Sequence, residues 1–557
     1  MPRVPSCSAP AAAALLLAAL ACAPSTAPGG ASPASSSAAI TAADLRARLA
    51  IYADDSMQGR KAGTPGNFRA TDYLASEARR IGLQPAGDDG GYFQAVPLVV
   101  RTLAPGASVT AGGTTFAPWT DFLPRDQGAG TRAIDGVQVV DGGVVGDSTA
   151  PPVPLDQLAG KLVVVRVAPV KAGTPATPGI PGGTVHRAAT TERFKTAAGI
   201  AVASLDAIEE SDRASLRATG AQLAQTDAPA QPAFFYVSGR LAEALLRAGT
   251  VHGSVAFADT PAEAPARNVV AILPGRDPAL RGELVAIGAH SDHIGLAEAP
   301  VDHDSVRAWG RVMRPRGAED SPGTPTAAET VEIRRILDSL RRLRPARPDS
   351  TFNGADDDGS GSVSVLEIAE ALARSPDRPR RSILFVWHTA EELGLLGSDW
   401  FTRHPTVPRD SIVAQLNIDM IGRGGPTDQP GGGPGYLQLI GSRRLSTELG
   451  DLVEQANTEG RHGFAFNYAW DADGHPANGY CRSDHYNYAR FGIPVTFFST
   501  GGHQDYHQLT DETQYIDYTK MARVASLIAD VATRVADLDH RVVVDKPKPD
   551  PAGVCKQ

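Results

Sequence analysis

The stretch "SILFVWHTAEELGLLGS", residues 382–398, places two adjacent glutamates just after an apolar run. The run is short, continuous and rich in β-branched and aromatic residues, which predicts a strand buried on both faces. Glu391 and Glu392 then precede a turn of small residues. Neighbouring carboxylates repel each other and lose hydration when they are buried. The pair therefore needs a compensating positive charge.

Other apolar runs of this kind alternate with helical patterns in the second half of the chain. The runs cover 268–275, 284–290, 412–422, 436–441 and 494–500, and a helical pattern covers 362–375. This alternation predicts an α/β fold, a mostly parallel mixed sheet sandwiched by helices. Such sheets bind ligands beyond the carboxyl ends of their strands.

Acidic and imidazole side chains follow these runs or lie in the turn before the 362–375 helix. They are His290, Asp292, Asp356, Asp357, Asp358, Glu391, Glu392, Asp419, His503 and His507. No lysine or arginine lies among these loops to pair with the carboxylates, so we expect a divalent metal site. Mixed imidazole and carboxylate ligands favour zinc, with manganese or cobalt as substitutes. One glutamate of the pair can then bind metal while the other acts as a general base.

Five motifs occur in a family order: "GAHSDH", "NGADDDGSG", "AEELGLLGS", "LNIDMIG" and "DYHQLTDE". Together they resemble the M28 family of di-zinc metallopeptidases, of the bacterial aminopeptidase type, over about 41–98 and 264–535. The resemblance implies the zinc-exopeptidase fold and two zinc ions. It also implies an exported aminopeptidase acting on peptides. The alternatives are a carboxypeptidase or dipeptidase, a glutaminyl cyclase on the same site, or a catalytically dead binding protein.

The resemblance assigns metal ligands residue by residue. Asp357 would bridge the two zinc ions, with His290 and Asp419 at one ion and Glu392 and His507 at the other. His507 is preferred to His503 because the family pattern places an aspartate four residues after the ligand, here Asp511. We expect His293 and His388 to be structural or to support the ligands.

The resemblance also assigns the remaining roles. Glu391 would be the general base for a bridging, metal-bound hydroxide, and Asp292 would orient His290. Tyr506 matches a position that helps to bind the oxyanion in some members. The peptide bond between Asp357 and Asp358 is expected to be cis.

The segment 100–263 differs in character, with short strand-like runs separated by Gly, Pro and Thr. Its motifs "LAGKLVVVRV" and "AAGIAVASLD" resemble a protease-associated (PA) domain, which would act as a lid or substrate filter. The peptidase domain would then comprise 41–99 and 264–540, followed by a tail, 541–557. An insertion at 297–350 either extends the rim of the active site and restricts substrate size or is a surface excursion without effect.

The N-terminus predicts export. The sequence predicts a signal peptide at 1–21 and a flexible linker at 22–40. Cys22, the first residue of the linker, leaves two alternatives open, a lipid anchor and simple secretion. Cys481 and Cys555 are candidates for a disulfide in an oxidising compartment. The net charge of −9 and the lack of a basic stripe argue against a nucleic-acid partner. The sequence does not fix the oligomeric state.

Overall fold

The computed structural model describes most of the chain beyond the N-terminal segment. The described residues are 39–126, 130–145, 154–168, 185, 187–217, 221–224, 229–315, 317, 320, 323–553 and 555–557. The predicted signal peptide, Cys22 and nearly all of the predicted linker lie outside them. Among the described helices, none has the length and apolar character needed to cross a bilayer.

Two helices open the described chain, α1 (Ala42–Tyr52) and α2 (Pro65–Ile81). The Thr41 side chain caps α1 by accepting a hydrogen bond from the main-chain N–H of Asp44. Helix α2 ends at Gly82, which adopts φ 90°, a left-handed conformation that suits glycine. Two short strands follow, β1 (Gln84–Pro85) and β2 (Phe93–Val96).

The middle of the chain forms two sheets of its own. Its elements are β3 (Leu98–Leu103), β4 (Ser108–Ala111), β5 (Thr114–Phe116), β6 (Phe122–Arg125), β7 (Val137–Val145), β8 (Leu162–Val167), α3 (Arg187–Arg193), β9 (Gly199–Ala203), α4 (Glu210–Arg217), β10 (Ala221–Leu223), β11 (Ala233–Val237), α5 (Gly239–Ala248), β12 (Thr250–Ser254) and β13 (Phe257–Pro261). Eight strands pair in the order β5-β4-β12-β7-β8-β9-β11-β6, and β10-β3-β13 form a smaller sheet. Alternate residues of β8 are buried in two separate cores, one on each face. The PA-domain assignment stays a prediction.

The second half of the chain supplies the remaining elements. They are β14 (Ala266–Leu273), β15 (Leu284–His290), β16 (Gly295–Asp302), α6 (His303–Met313), α7 (Ala327–Leu343), β17 (Pro348–Phe352), α8 (Gly361–Arg374), β18 (Ser382–His388), α9 (Leu396–Arg403), β19 (Ile412–Ile418), β20 (Tyr436–Ile440), α10 (Thr447–Glu459), β21 (Ala465–Asn467), α11 (His485–Ala489), β22 (Val495–Ser499) and α12 (Tyr518–Asp537).

The main sheet has nine strands in the order β1-β14-β18-β15-β19-β22-β20-β21, with β2 also paired to β14. Strands β18, β15, β19 and β22 are parallel to one another, whereas β14 and β20 run antiparallel to their neighbours β18 and β22. The predicted mostly parallel mixed sheet is therefore confirmed. Because four parallel strands are adjacent, their carboxyl ends meet at one edge.

Helices cover both faces of this sheet. Helices α1, α2, α8, α10 and α12 pack on one face, and α9 and α11 pack on the other. Phe385 and Trp387 of β18 are fully buried on the first face, and Leu384 and Val386 on the second. Each such side chain contributes about 1.5–3 kcal/mol through burial. This double burial explains why the strands read as continuous apolar runs.

Candidate metal centre

The predicted ligands lie at the carboxyl ends of the parallel strands. Strand β15 ends at His290, and Asp419 directly follows β19. Glu391 and Glu392 lie three and four residues after the end of β18. The loop after β22 carries His507. The predicted metal-ligating residues are thus brought together by the topology of one sheet.

Asp357 lies between two histidines. Its Oδ1 is 3.1 Å from Nε2 of His290, and its Oδ2 is 3.0 Å from Nε2 of His507. Asp419 Oδ1 lies 3.7 Å from His290 Nε2, and Glu392 Oε2 lies 3.0 Å from His507 Nε2. The two groups of side chains therefore share the carboxylate of Asp357, as a bridging ligand would require.

The donor atoms fit two divalent cations. His290, Asp357 and Asp419 can each direct one ligand atom to a common point, as can His293, Asp357, Glu392 and His507, with the atoms of each group within 4.8 Å of one another. Asp357 Oδ2 and His507 Nε2 are buried, and among the described residues neither has a partner in hydrogen-bond geometry although they lie 3.0 Å apart. Buried polar atoms of native proteins are rarely left unpaired, so these two atoms fit the role of ligands to a cation. The set of imidazole and carboxylate donors suits zinc.

The protonation of the site reflects its surplus of negative charge. Burial would lower the pKa of His507, but Asp357 and Glu392 raise it to about 10. Burial raises the pKa of Glu391 well above its usual range, and the neighbouring Asp419 and Glu392 add to this effect. Among the described residues, no lysine or arginine forms an ion pair with Glu391 or Glu392. Cations bound here would take the place of protons.

Asp292 supports both glutamates and His290. Its Oδ1 accepts a hydrogen bond of 3.0 Å from the main-chain N–H of Glu391, and its Oδ2 accepts one of 3.4 Å from that of Glu392. Nδ1 of His290 lies 3.1 Å from the main-chain oxygen of Asp292 and 3.7 Å from its carboxylate. The residue therefore contacts the predicted base as well as the ligand that the sequence associated with it.

The aspartate turn is held by residues that the sequence did not single out for this role. Asp511 Oδ2 accepts hydrogen bonds from the main-chain N–H groups of Asp356 and Asp357, at 3.0 and 3.1 Å. The buried guanidinium of Arg60 donates to the main-chain oxygens of Asn353 and Gly354. The Asp357–Asp358 bond is cis, as the resemblance implied.

Asp358 joins the turn to two strand ends. Its Oδ2 accepts a hydrogen bond from the N–H of His290, and its Oδ1 accepts one from that of Met420.

Gly354 has φ 53°, and a Cβ there would lie 2.6 Å from the ring of His293. Glycine is therefore required for the turn to approach that histidine.

Three further histidines differ in their surroundings. His293 Nδ1 lies 2.7 Å from Glu392 Oε1, which places it in the second ligand group. His503 instead faces Asp356 at 3.3 Å and lies outside both groups. His388 Nδ1 lies 3.3 Å from Asp484, and its Nε2 lies 3.0 Å from the Tyr488 hydroxyl. The contact between His293 and Glu392 spans 99 positions, so the sequence alone could not show it, and the role of His293 stays a prediction.

An open cleft lies beside the predicted ligands. Its lining combines carboxylates with apolar side chains and one arginine: Asp357, Glu391, Asp419, Met420, Ile440, Trp470, Arg482, Phe497 and Tyr506. The ring of Tyr506 stacks on that of His507, with centroids 3.9 Å apart. Burial raises the pKa of Tyr506 well above its usual range, so its hydroxyl stays protonated.

The predicted insertion contacts the loop that carries His507. Arg307 of α6 forms an ion pair with Asp505 at 3.2 Å, and Arg314 donates a hydrogen bond to the main-chain oxygen of Tyr506. The segment therefore borders the site. Helix α7, which follows α6, has no buried residue. Whether the segment restricts substrate size stays a prediction.

Comparison with known proteins identifies the family. Residues 268–532 match the family model for peptidase family M28. These residues form an M28 peptidase domain. The matched range contains all five ligands predicted from the sequence, together with Glu391 and Tyr506.

Curated relatives match part of the chain at modest identity. Leupeptin-inactivating enzyme 1 of Streptomyces exfoliatus is 28% identical over 311 residues, which cover 52% of this chain and 59% of the relative. Leucine aminopeptidase 1 of Ajellomyces dermatitidis is 31% identical over 223 residues, 38% of this chain and 54% of the relative. The chain thus spans about half the length of the curated relatives it matches. A solved aminopeptidase from Aneurinibacillus sp. strain AM-1 has 15% identity and a TM-score of 0.45, with 92% of this chain and 97% of that chain covered.

Proposed function

We propose that the protein is an exported, zinc-dependent exopeptidase, an aminopeptidase that hydrolyses peptide bonds. The observation that carries the proposal is the position of Asp357, whose two oxygens face His290 and His507, with Glu391 beside them at the cleft. A hydrolase of this kind needs two adjoining cation sites and one free carboxylate. The M28 domain and the names of the curated relatives support the same assignment.

The chain provides ligands for two zinc ions. His290, Asp357 and Asp419 would hold one ion, and Asp357, Glu392 and His507 the other, with His293 beside the second group. When bound, the zinc ions lower the pKa of a water molecule and polarise the carbonyl of the substrate.

Glu391 is proposed as the general base. Its Oε2 lies 4.0 Å from His290 Nε2, and the residue lines the cleft. Asp292 accepts a hydrogen bond from its main-chain N–H, which fixes the backbone that carries the side chain. Glu391 would accept a proton from the attacking water and deliver it to the nitrogen of the leaving amine.

Tyr506 is proposed to stabilise the oxyanion that forms at the scissile carbonyl. Because its pKa is raised by burial, the phenol stays protonated and can donate a hydrogen bond. Its ring is held against His507, close to the second ligand group. The donor is therefore positioned before the substrate binds.

The proposal can be tested on the full chain with leucyl-p-nitroanilide and its N-acetylated form. We expect hydrolysis of the free-amine substrate only, loss of activity with a chelator and recovery with zinc. Glu391→Gln should retain bound zinc and lose activity by about 10²–10⁴-fold. The exposed Glu243→Gln is a matched control that should behave as wild type.

Metal analysis tests the two ligand groups separately. His290→Ala and His507→Ala should each remove close to one zinc ion per chain from the two of the wild type. Near-normal turnover of Glu391→Gln would refute its role as the base. Preferential cleavage of the N-acetylated substrate would replace the aminopeptidase assignment with another peptidase specificity.

A further inference from the structure

Arg482 places a positive charge on the wall of the cleft. It lines the cleft together with Glu391 and Asp419, and its side chain is exposed. Its guanidinium donates one hydrogen bond, 3.3 Å long, to the Tyr506 hydroxyl, and among the described residues no carboxylate forms an ion pair with it. Since a guanidinium has five N–H donors, the described residues use only a small part of its hydrogen-bonding capacity.

The main chain around Arg482 is held on both sides. Cys481, directly before it, forms a disulfide with Cys555. Ser483, directly after it, donates a hydrogen bond of 2.8 Å to Oδ2 of the ligand Asp419. The base of the arginine side chain therefore has a fixed position relative to the ligand group. Fixing it in advance lowers the entropy cost of binding a ligand.

The surrounding charges define what this arginine can bind. Glu391, which lines the same cleft and is proposed to stay free of metal, repels an anionic substrate that approaches it. An arginine binds a carboxylate through two parallel hydrogen bonds and so offsets this repulsion. The hydroxyl of Tyr506 lies next to the guanidinium and offers a further donor.

We propose that Arg482 binds a carboxylate of the substrate, so that the cleft selects peptides carrying a carboxylate close to the scissile bond. This inference rests on the proposed peptidase function and names its substrate class. The carboxylate has two sources, the C-terminus of a dipeptide and the side chain of an acidic residue. Arg482 acts in specificity and takes no part in the proton transfers.

Equilibrium binding to the zinc-loaded, full-length Glu391→Gln variant tests the proposal without turnover. Leu-Gly is compared with Leu-Gly-amide, and Glu-Gly-amide with Gln-Gly-amide, so that the members of each pair differ only in one carboxylate. In at least one pair we expect the carboxylate form to bind about ten-fold more tightly. Adding Arg482→Met should bring that affinity ratio close to one, and Arg482→Lys should keep part of it. The affected pair identifies the source of the carboxylate.

Two results would overturn the proposal: an affinity ratio close to one in both pairs before Arg482 is changed, or a ratio that Arg482→Met leaves unchanged. If the ratio is unchanged because both members of each pair lose affinity equally, Arg482 only supports Tyr506. Arg281→Met, at the opposite end of β15 from His290, is the matched control and should leave the ratio unchanged. If the zinc-loaded wild type hydrolyses none of these peptides, the proposed function fails, while the binding ratio still decides the role of Arg482.

Discussion

The carboxylate of Asp292 accepts a hydrogen bond of 3.0 Å from the main-chain N–H of Glu391. Asp292 is fully buried, and it reaches Glu391 across 99 positions of the chain. It therefore fixes the turn that carries the proposed base, in addition to lying beside His290. A residue of this kind acts on catalysis through its neighbour.

Asp292→Ala should lower kcat by about 10–100-fold through this contact. Asp292→Asn, which keeps one acceptor oxygen, should lose less. If Asp292 acts through Glu391, the double variant Asp292→Ala/Glu391→Gln should be little slower than Glu391→Gln alone. Steady-state kinetics of the wild type, Asp292→Ala, Glu391→Gln and the double variant measure this coupling. Additive losses would show that Asp292 works independently of the base.

Ser483 orients the ligand Asp419. Its Oγ donates a hydrogen bond of 2.8 Å to Asp419 Oδ2 and accepts one of 2.8 Å from Nδ2 of Asn417. Ser483→Ala should weaken zinc binding at the His290 group by about ten-fold or more and leave the other group intact. Competition with a chelator measures both affinities. Ser364→Ala, at a buried serine whose hydroxyl has no partner, is the control. Equal zinc affinity in the two variants would contradict the role of Ser483.

Patterns local in sequence predicted most of the fold. Strand β15 (Leu284–His290) has the predicted bounds because its apolar run is continuous. Strand β19 is shorter than its apolar run, 412–422, because Met420 adopts φ 61° and the chain turns at the metal centre. The antiparallel direction of β14 and β20 could not be predicted, since it depends on how distant segments pair.

The proposed ligands could be named from the sequence because they lie at or after the ends of apolar runs or in the turn before α8, and because their motifs resemble a known family. The residues that hold the proposed ligands in place could not be predicted, because they come from distant parts of the chain. Arg60 reaches the main-chain oxygen of Asn353 across 293 positions, and Asp511 reaches Asp357 across 154. Neither contact leaves a local pattern. His293 was visible beside His290, yet its position at Glu392 depends on the pairing of β15 with β18.

The disulfide between Cys481 and Cys555 ties the C-terminal tail to the loop before Arg482. Their Cα atoms are 5.8 Å apart, and the bond spans 74 positions. The side-chain oxygen of Gln557 also accepts a hydrogen bond from the main-chain N–H of Tyr480. The pairing that the sequence left as a candidate is thus present in the fold.

Cys555→Ser should lower stability by about 2–4 kcal/mol, as loss of a native disulfide commonly does. It should also raise KM more than it lowers kcat, because the disulfide supports the wall of the cleft and the proposed base lies elsewhere. Denaturant unfolding and steady-state kinetics measure the two effects. Reductant should make the wild type resemble Cys555→Ser and leave that variant unchanged. If neither the substitution nor the reductant alters KM, the disulfide does not support the wall of the cleft.

Glu367 of α8 lies in a buried network away from the metal centre. Its Oε1 is 2.9 Å from Nε of Arg48, yet burial raises its pKa from 4.5 to about 7. The folded protein therefore binds this proton more tightly than the unfolded chain does. The resulting stabilisation is fully present below pH 4.5 and is lost as the pH rises through about 7.

Glu367→Gln removes this titration, so the variant should lose less stability than the wild type between pH 5 and pH 8. The expected difference in the change of unfolding free energy is of the order of 2 kcal/mol. Urea unfolding at several pH values measures it, with Glu243→Gln as the control at an exposed glutamate. Parallel pH profiles for the wild type and Glu367→Gln would show that Arg48 keeps the carboxylate ionised in the folded state. The ion pair would then outweigh the cost of burial, and the two proteins would differ by a constant amount at each pH.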